Sequence, residues 1–503
     1  MPWYGCAREV ERMRRRWFRY ALVIGFVAAL GCALLFWYWL EKMGGKARFR
    51  VEAYSHPPAI SEPAEGPNVI VFVIDATRLD ALSPYGGVPD ERTPNIAKLA
   101  EQGVVFESAY TVASFSGPSY ASIITGKYPL SHGVLDHPNE LPEANHTLLE
   151  AAADAGYYTL HITQHGFLRN RWNYDQGAAF YRFSKNYNTL ISHLNSWIVR
   201  NRETPFVAFV AITAPHFPYT PWKFRQRRIQ ALSRKERLIA RTISKRSLKY
   251  DFAATGLSED YVAAQREYYQ LEVDIADQLL GRVMDAVERS GRRENTAFIV
   301  TADHGEAFGE HGLHFIHDAV VYAPVSRVPL IVSWPGHIAP GRVTSIVSLI
   351  DLLPTVAEWI GGTADEEMDG RSLAPLLDGG SIQEDRTVIC YSRPRWKDGK
   401  EFPVLGAKYQ LPGFVGSSLL GARGRWDVVL QPLTDGFALE VFDRAEDPLH
   451  LADLAGEQGE HSEVEGIVAE LHHYRDRLLA ATLKESELSE EQLQGLRELG
   501  YIE

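Results

Sequence analysis

Two apolar runs constrain this chain more than any other feature. Residues 68–74 (Asn-Val-Ile-Val-Phe-Val-Ile) stop at Asp75, and residues 296–302 (Thr-Ala-Phe-Ile-Val-Thr-Ala) stop at Asp303-His304. Runs that stay apolar without alternating read as strands of a parallel sheet buried on both faces. In an open α/β sheet, sites form beyond the carboxyl ends of such strands. Two carboxylates and a histidine far apart in sequence can then meet at one place, which is what a divalent cation needs.

Strand-like and helix-like segments alternate between these runs. Helices are expected at 96–102, closed by Gly103, and at 147–155, closed by Gly156; further strands are expected at 158–162, 206–212 and 328–332. The pattern predicts an α/β fold, a large mostly parallel sheet sandwiched by helices, over residues 67–377. From about Asp378 it changes to short strands (387–391, 426–430, 439–442) and a helix at 464–481, which predicts a smaller C-terminal α+β subdomain over 378–483. Residues 484–503 read as a helical tail, with Ser489 and Gln492 placed to cap it. A basic stretch at 223–249 reads as a solvated helical insertion, or as a lid that attracts anionic substrate or lipid head groups.

The N-terminus is set apart from this pattern. Arg8, Arg12, Arg14, Arg15, Arg16 and Arg19 form a basic segment, 1–19, ahead of an uncharged run at 20–40. At 1.5 Å per helical residue that run spans about 30 Å, the thickness of a bilayer core. Trp17, Trp37, Tyr38 and Trp39 stand at its ends as interfacial anchors. The arginines predict a cytoplasmic N-terminus and a single-pass anchor in a bacterial inner membrane. A polar linker, 41–66, would then lead to a catalytic domain on the periplasmic side. The net charge of −12 argues against nucleic acid as a partner. Cys6, Cys32 and Cys390 are too far apart for a disulfide framework.

A third chemical element lies at Ser116-Gly117-Pro118-Ser119, in a segment that ends at Gly126-Lys127. Ser116 is placed as the N-cap of a helix, where free backbone N–H groups stabilise an anion. A plain serine cap is the commoner role for such a residue. The company it keeps favours function. Asp75-Ala76-Thr77-Arg78-Leu79-Asp80, Tyr85-Gly86 and Thr93-Pro94-Asn95 precede it; Pro215-His216-Phe217-Pro218-Tyr219, Asp303-His304-Gly305-Glu306 and Gly309-Glu310-His311-Gly312 follow. This ordered set resembles the sulfatase family within the alkaline phosphatase superfamily, from Asn68 to the end of the chain.

The resemblance implies one divalent cation (Ca, Mn or Zn) held by Asp75, Ser116, Asp303 and His304. It makes Ser116 the nucleophile and His216 and His317 catalytic and substrate-binding groups. Lys127 becomes a candidate anion contact, His311 a loop support, and Arg78 and Asp80 supporting or ion-pairing groups. The chain also departs from the family pattern. Tyr120 stands where the arginine that directs formylglycine maturation would be. Ala76 stands where a second aspartate would be, and Gln164-His165 roughly where a lysine would be. An unmodified serine would form an alkyl sulfate, which is slow to hydrolyse, whereas a phosphoserine is readily resolved. The expected function is therefore a metal-dependent hydrolase of sulfate or phosphate esters, its anionic substrate a glycan, a lipid or a small molecule. Two alternatives remain: a phosphodiesterase or phosphoryl-group transferase acting on lipid or glycan, and an inactive glycan-binding relative.

Overall fold

The computed structural model describes residues 64, 66–136, 139–217, 219, 259–312, 314–318, 320–363, 365, 367–383, 386–392, 417–433, 436–456 and 462–485. The basic segment, the membrane run, nearly all of the linker, the 223–249 stretch and most of the tail lie outside them. Among the described residues no helix is long and apolar enough to cross a membrane.

The strands in chain order are β1 Asn68–Ile74, β2 Val104–Tyr110, β3 Tyr158–Thr163, β4 Phe180–Phe183, β5 Phe206–Ile212, β6 Thr296–Thr301, the hairpin β7 Ala307–Phe308 and β8 His314–Ile316, then β9 Arg327–Ser333, β10 Gly341–Val343 and β11 Val347–Ser348. Nine of them form one sheet in the order β10-β2-β9-β6-β1-β5-β3-β4, with β11 also on β2. β1 lies at its centre, parallel to both β5 and β6. Every residue of β1, β3, β5 and β6 is buried.

Alternating side chains of these strands feed two cores. In β1, Ile70, Phe72 and Ile74 enter one, and Val69, Val71 and Val73 the other. Helices α1 Pro94–Glu101, α4 Tyr187–Arg200 and α5 Glu259–Arg289 cover the first. Helices α2 Ser116–Thr125, α3 Leu148–Asp154 and α6 Leu352–Ile360 cover the second. α4 shows why such segments are helical. Leu190, Ile191, Leu194, Trp197 and Ile198 recur at helical spacing on its buried face, and Asn186 caps its start by accepting the Thr189 N–H. Full burial of a leucine or isoleucine there stabilises the fold by about 1.5–3 kcal/mol.

The structure corrects or qualifies three expectations. β9 runs antiparallel to both β6 and β2. A parallel return needs a crossover, usually a helix, and the longest helix between β6 and β9 is the four-residue Ala323–Ser326. The chain therefore stays at the carboxyl end of the sheet after β6, builds loops there, and comes straight back. Gly103 does follow the cap of α1, its N–H bonding the Ala100 carbonyl, but its backbone is not left-handed; a Cβ on it would sit 2.2 Å from the Val332 carbonyl oxygen. Close approach to β9 is what requires the glycine. The second sheet has four antiparallel strands, β12 Val388–Tyr391, β13 Leu419–Arg423, β14 Trp426–Leu433 and β15 Gly436–Asp443; the sequence pattern did not reveal β13. Helix α7 Ser462–Glu485 packs Ile467, Leu471, Tyr474 and Leu478 on this sheet.

Two buried histidines make the fold acid-sensitive. Burial holds His132 down at about 3 and His161 at about 4. Both are neutral when folded and free to protonate when unfolded near 6.5. Their contribution is complete above pH 6.5 and is lost as pH falls through 4. Denaturant unfolding should show stability declining steadily from pH 7 to pH 4. His161→Phe keeps the edge-on contacts with Tyr181 and Phe209 and should flatten that decline.

Candidate active site

Strand register decides which residues meet. Val73 of β1 lies opposite Thr301 of β6. Two residues further on, Asp75 therefore falls beside Asp303, about one inter-strand spacing of 4.8 Å away. β3 and β5 end at the same level, which brings His165 and His216 to the same edge.

Hydrogen bonds then sort the atoms of each side chain. Asp303 Oδ1 accepts the N–H groups of Ala76 (3.1 Å) and His304 (3.0 Å). Ala76 reaches it by adopting a left-handed backbone, φ 55°, a mildly strained state for a residue with a Cβ. His304 donates through Nδ1 to the Gly305 carbonyl, 2.9 Å away. Its Nε2 is therefore unprotonated and accepts from the Ser116 hydroxyl at 3.3 Å, lying 3.4 Å from Asp303 Oδ2 and 3.7 Å from Asp75 Oδ1. Asp75 Oδ1 and Oδ2 and Asp303 Oδ2 have no hydrogen-bond partner, though both residues are wholly buried. Burial, then the charge of Asp303, pushes Asp75 well above the usual carboxylate range. Burial also works against Asp303, but His304 and His165 hold it below that range.

Orphaned carboxylate oxygens of Asp75 and Asp303 and the unprotonated Nε2 of His304, with one ligand atom of each residue within 4.8 Å of the others, fit a divalent cation. Hard oxygen donors with one imidazole suit Mn²⁺, Zn²⁺ or Ca²⁺.

Ser116 does not cap its helix. It is the first helical residue, Phe115 takes the cap position, and no side-chain cap bond forms. The chemistry of the next residues explains this. Pro118 has no N–H to offer, and the Ser119 N–H already bonds the Phe115 carbonyl. The Ser116 hydroxyl is left facing His304, while Ser119 Oγ donates to the Asp303 carbonyl at 2.6 Å and fastens α2 to the end of β6.

His216 and His317 adopt opposite protonation states. His216 donates through Nδ1 to the Phe217 carbonyl, 2.6 Å away, which leaves Nε2 as an acceptor. Burial, and then the charge of His317, keep it below its ordinary range. His317 stacks on His304 with centroids 4.2 Å apart, and its Nδ1 lies 3.1 Å from Glu306 Oε1. Burial alone would lower it; Glu306 instead lifts it to about 9, so it is an imidazolium at neutral pH. The two rings are 5.1 Å apart, a neutral acceptor beside a charged donor.

Other expected residues take structural places. Lys127 is at the far end of α2, about 15 Å along the helix from Ser116, with Nζ 2.6 Å from Asp365 Oδ2. Arg78 grips Asp80 through two bonds and reaches Glu310 and the Glu306 carbonyl, tying the loop after β1 to the loop after β6. His311 stacks on Tyr322 at 3.6 Å and supports its loop. Glu306 carries a role that sequence reasoning left unassigned. It is wholly buried, accepts the Tyr219 hydroxyl at 2.9 Å and faces His317. Its place two residues after His304 was the only signal in the sequence.

Residues 67–362 match the family model described as Sulfatase. An ulvan-active sulfatase of Formosa agariphila is 24% identical, with 65% of this chain and 68% of the relative aligned. The choline-sulfatase of Rhizobium meliloti is 25% identical over 77% of this chain and 82% of its own length. Among solved structures, a complex with the substrate D-glucosamine-2-N,6-O-disulfate has a TM-score of 0.64 at 19% identity, covering 82% of this chain and 98% of that one. The phosphonate monoester hydrolase of Agrobacterium radiobacter has a TM-score of 0.62 at 20% identity, covering 84% and 98%. At these identities the structural likenesses establish the fold.

Asp75→Asn should raise the melting temperature of metal-free protein, because the amide is neutral at no cost, whereas the buried Asp75 carboxyl must take up a proton to avoid a second charge beside Asp303. The wild type should gain about 2.7 kcal/mol at a hundredfold excess of Mn²⁺ over Kd; the variant should gain almost none. Melting curves with and without Mn²⁺ measure both effects.

Proposed function

The chain belongs to the sulfatase family, and on that premise we propose a metal-dependent hydrolase of anionic esters, with the Ser116 hydroxyl as nucleophile. The observation that carries this reading is the position of Ser116 Oγ, 3.3 Å from His304 Nε2 and beside the orphaned oxygens of Asp75 and Asp303. Asp75, Asp303, His304 and Ser116 would hold the cation. When bound, it supplies charge stabilisation and lowers the pKa of the serine hydroxyl.

The chain's own groups do the remaining work. Its hydroxyl proton having left to solvent, Ser116 Oγ attacks the sulfur or phosphorus centre from the start of α2, forming a serine ester as the bond to the leaving alcohol breaks; the later hydrolysis returns it as the alkoxide. His317, charged near neutral pH, binds the anionic oxygens and protonates the leaving alcohol. His216, whose Nδ1–H bond to the Phe217 carbonyl leaves Nε2 as an acceptor, takes a proton from the water that then hydrolyses the serine ester. The relatives named as sulfatases support sulfate esters of glycans or small molecules as substrates. Tyr120 in the maturation position supports an unmodified Ser116, whose chemistry favours phosphate mono- or diesters. We place this unit outside the cytoplasmic membrane, on the strength of the arginine-rich segment before the uncharged run at 20–40.

The tryptic peptide 99–127 contains Ser116, and its mass decides between the esters. An unaltered mass should go with turnover of aryl phosphate or phosphonate esters; the mass loss of formylglycine formation should go with turnover of aryl sulfate. Ser116→Ala should lower kcat/KM at least ~10³-fold on the active ester, the usual scale for loss of a nucleophile. Undiminished turnover by that variant on every ester would end the assignment.

A further inference from the structure

One buried polar group beside the metal cluster has no task in this scheme. Tyr120 follows Ser116 by four residues on α2, so both side chains leave the same face of the helix. Its wholly buried ring lies against His165, centroids 5.3 Å apart, and Phe209, 6.2 Å away. Its hydroxyl has no hydrogen-bond partner. A buried hydroxyl left unbonded costs about 1–3 kcal/mol, so it is expected to find an acceptor when the site is complete. Burial, Asp303 and Asp75 all oppose its ionisation, so it remains a donor and lies within electrostatic reach of both carboxylates.

The same place holds surplus acceptors. Asp75 Oδ1, Asp75 Oδ2 and Asp303 Oδ2 are unpartnered. A cation bound through one oxygen of each carboxylate satisfies two of these three and leaves one oxygen of Asp75 over. His165 accepts the Phe167 N–H at Nδ1, 3.2 Å, so its proton is on Nε2, 3.4 Å from Asp75 Oδ2.

We propose that Tyr120 is a positioning residue for the metal site: with His165 it forms a neutral pair of donors for the Asp75 oxygen that the cation leaves over, and so fixes which oxygen Asp75 turns to the ion. The inference rests on the reading that Asp75, Asp303 and His304 hold a divalent cation. Neutral donors orient the carboxylate without adding positive charge that would compete with the ion, as a lysine or arginine in that place would. Partners of this kind typically change metal affinity by 10–100-fold.

The test titrates Mn²⁺ calorimetrically into the metal-stripped full chain. Tyr120→Phe removes only the hydroxyl. It should weaken Mn²⁺ binding by about tenfold or more, with the metal-free melting temperature equal to or above that of the wild type. Tyr120→Phe combined with His165→Gln should cost less than the sum of the two single changes, because both act on one oxygen. Mn²⁺ affinity within twofold of wild type in Tyr120→Phe would overturn the proposal. So would a metal-free variant that melts well below the wild type, since the hydroxyl would then be structural. A wild-type chain that takes up no Mn²⁺, Ca²⁺ or Zn²⁺ would instead remove the metal site, and this inference with it.

Discussion

Two carboxylates wholly buried side by side are the constraint around which the end of this sheet is organised. At about 4.8 Å and an effective dielectric near 20, their repulsion is about 3–4 kcal/mol. Water cannot relieve it, because Asp75 and Asp303 have no exposed surface. Without a cation, one carboxyl must keep its proton, and Asp75 is the one pushed upward. Asp303 keeps its charge because two backbone N–H groups and the nearby imidazoles favour it. This asymmetry comes from the strand ends: the left-handed turn at Ala76 aims an N–H at Asp303 and none at Asp75.

The histidines follow from the same geometry, each set by what its other nitrogen touches. His304 and His216 give Nδ1–H to the next carbonyl and present Nε2 as a lone pair. His165 receives an N–H at Nδ1 and presents Nε2 as a donor. His317 meets a carboxylate and stays charged. Two of the four imidazoles thus present a lone pair, one a neutral donor and one a positive charge. The difference between them lies in backbone atoms one or two residues away, or in a single glutamate.

That division explains how much could be read from the sequence. The strands ending at Asp75 and Asp303 were legible because full burial leaves an unbroken apolar run, and their neighbourhood follows from parallel pairing. The antiparallel course of β9 was not, because the run Val328–Val332 looks the same in either direction; only the lack of a crossover helix after Ala302 gives it away. That Ser116 does not cap its helix was not legible, since it depends on Pro118 and Ser119 having no free N–H for it. The ion pair of Lys127 with Asp365, more than two hundred residues away, was not legible either. Glu306 was visible in the sequence, but its pairing with His317 depends on the β7–β8 hairpin turning back.

The second sheet belongs to the catalytic frame for a physical reason. The segment leading to Ser116 has no regular structure of its own and borrows order from β12. Tyr391 donates its N–H to the Val112 carbonyl (3.1 Å), accepts the Ser114 N–H (3.0 Å), and sends its hydroxyl to the Leu135 carbonyl (2.8 Å). Phe115 packs edge-on against the same ring, 5.4 Å away, within the core that α7 completes. On the other side of the site, His450 accepts the Ala323 N–H and bonds the buried Asp427. Asp427 also takes two bonds from Arg444 and one from Tyr110 of the main sheet. Burial alone would raise Asp427, but Arg444 and His450 hold it far below the usual carboxylate range, so this charge is fully compensated where those of Asp75 and Asp303 are not. One sheet therefore carries the uncompensated charge that calls for a cation. The other, with its own charge neutralised, fixes the segments that carry Ser116 and follow His317. The 3.3 Å between Ser116 and His304 is held from both.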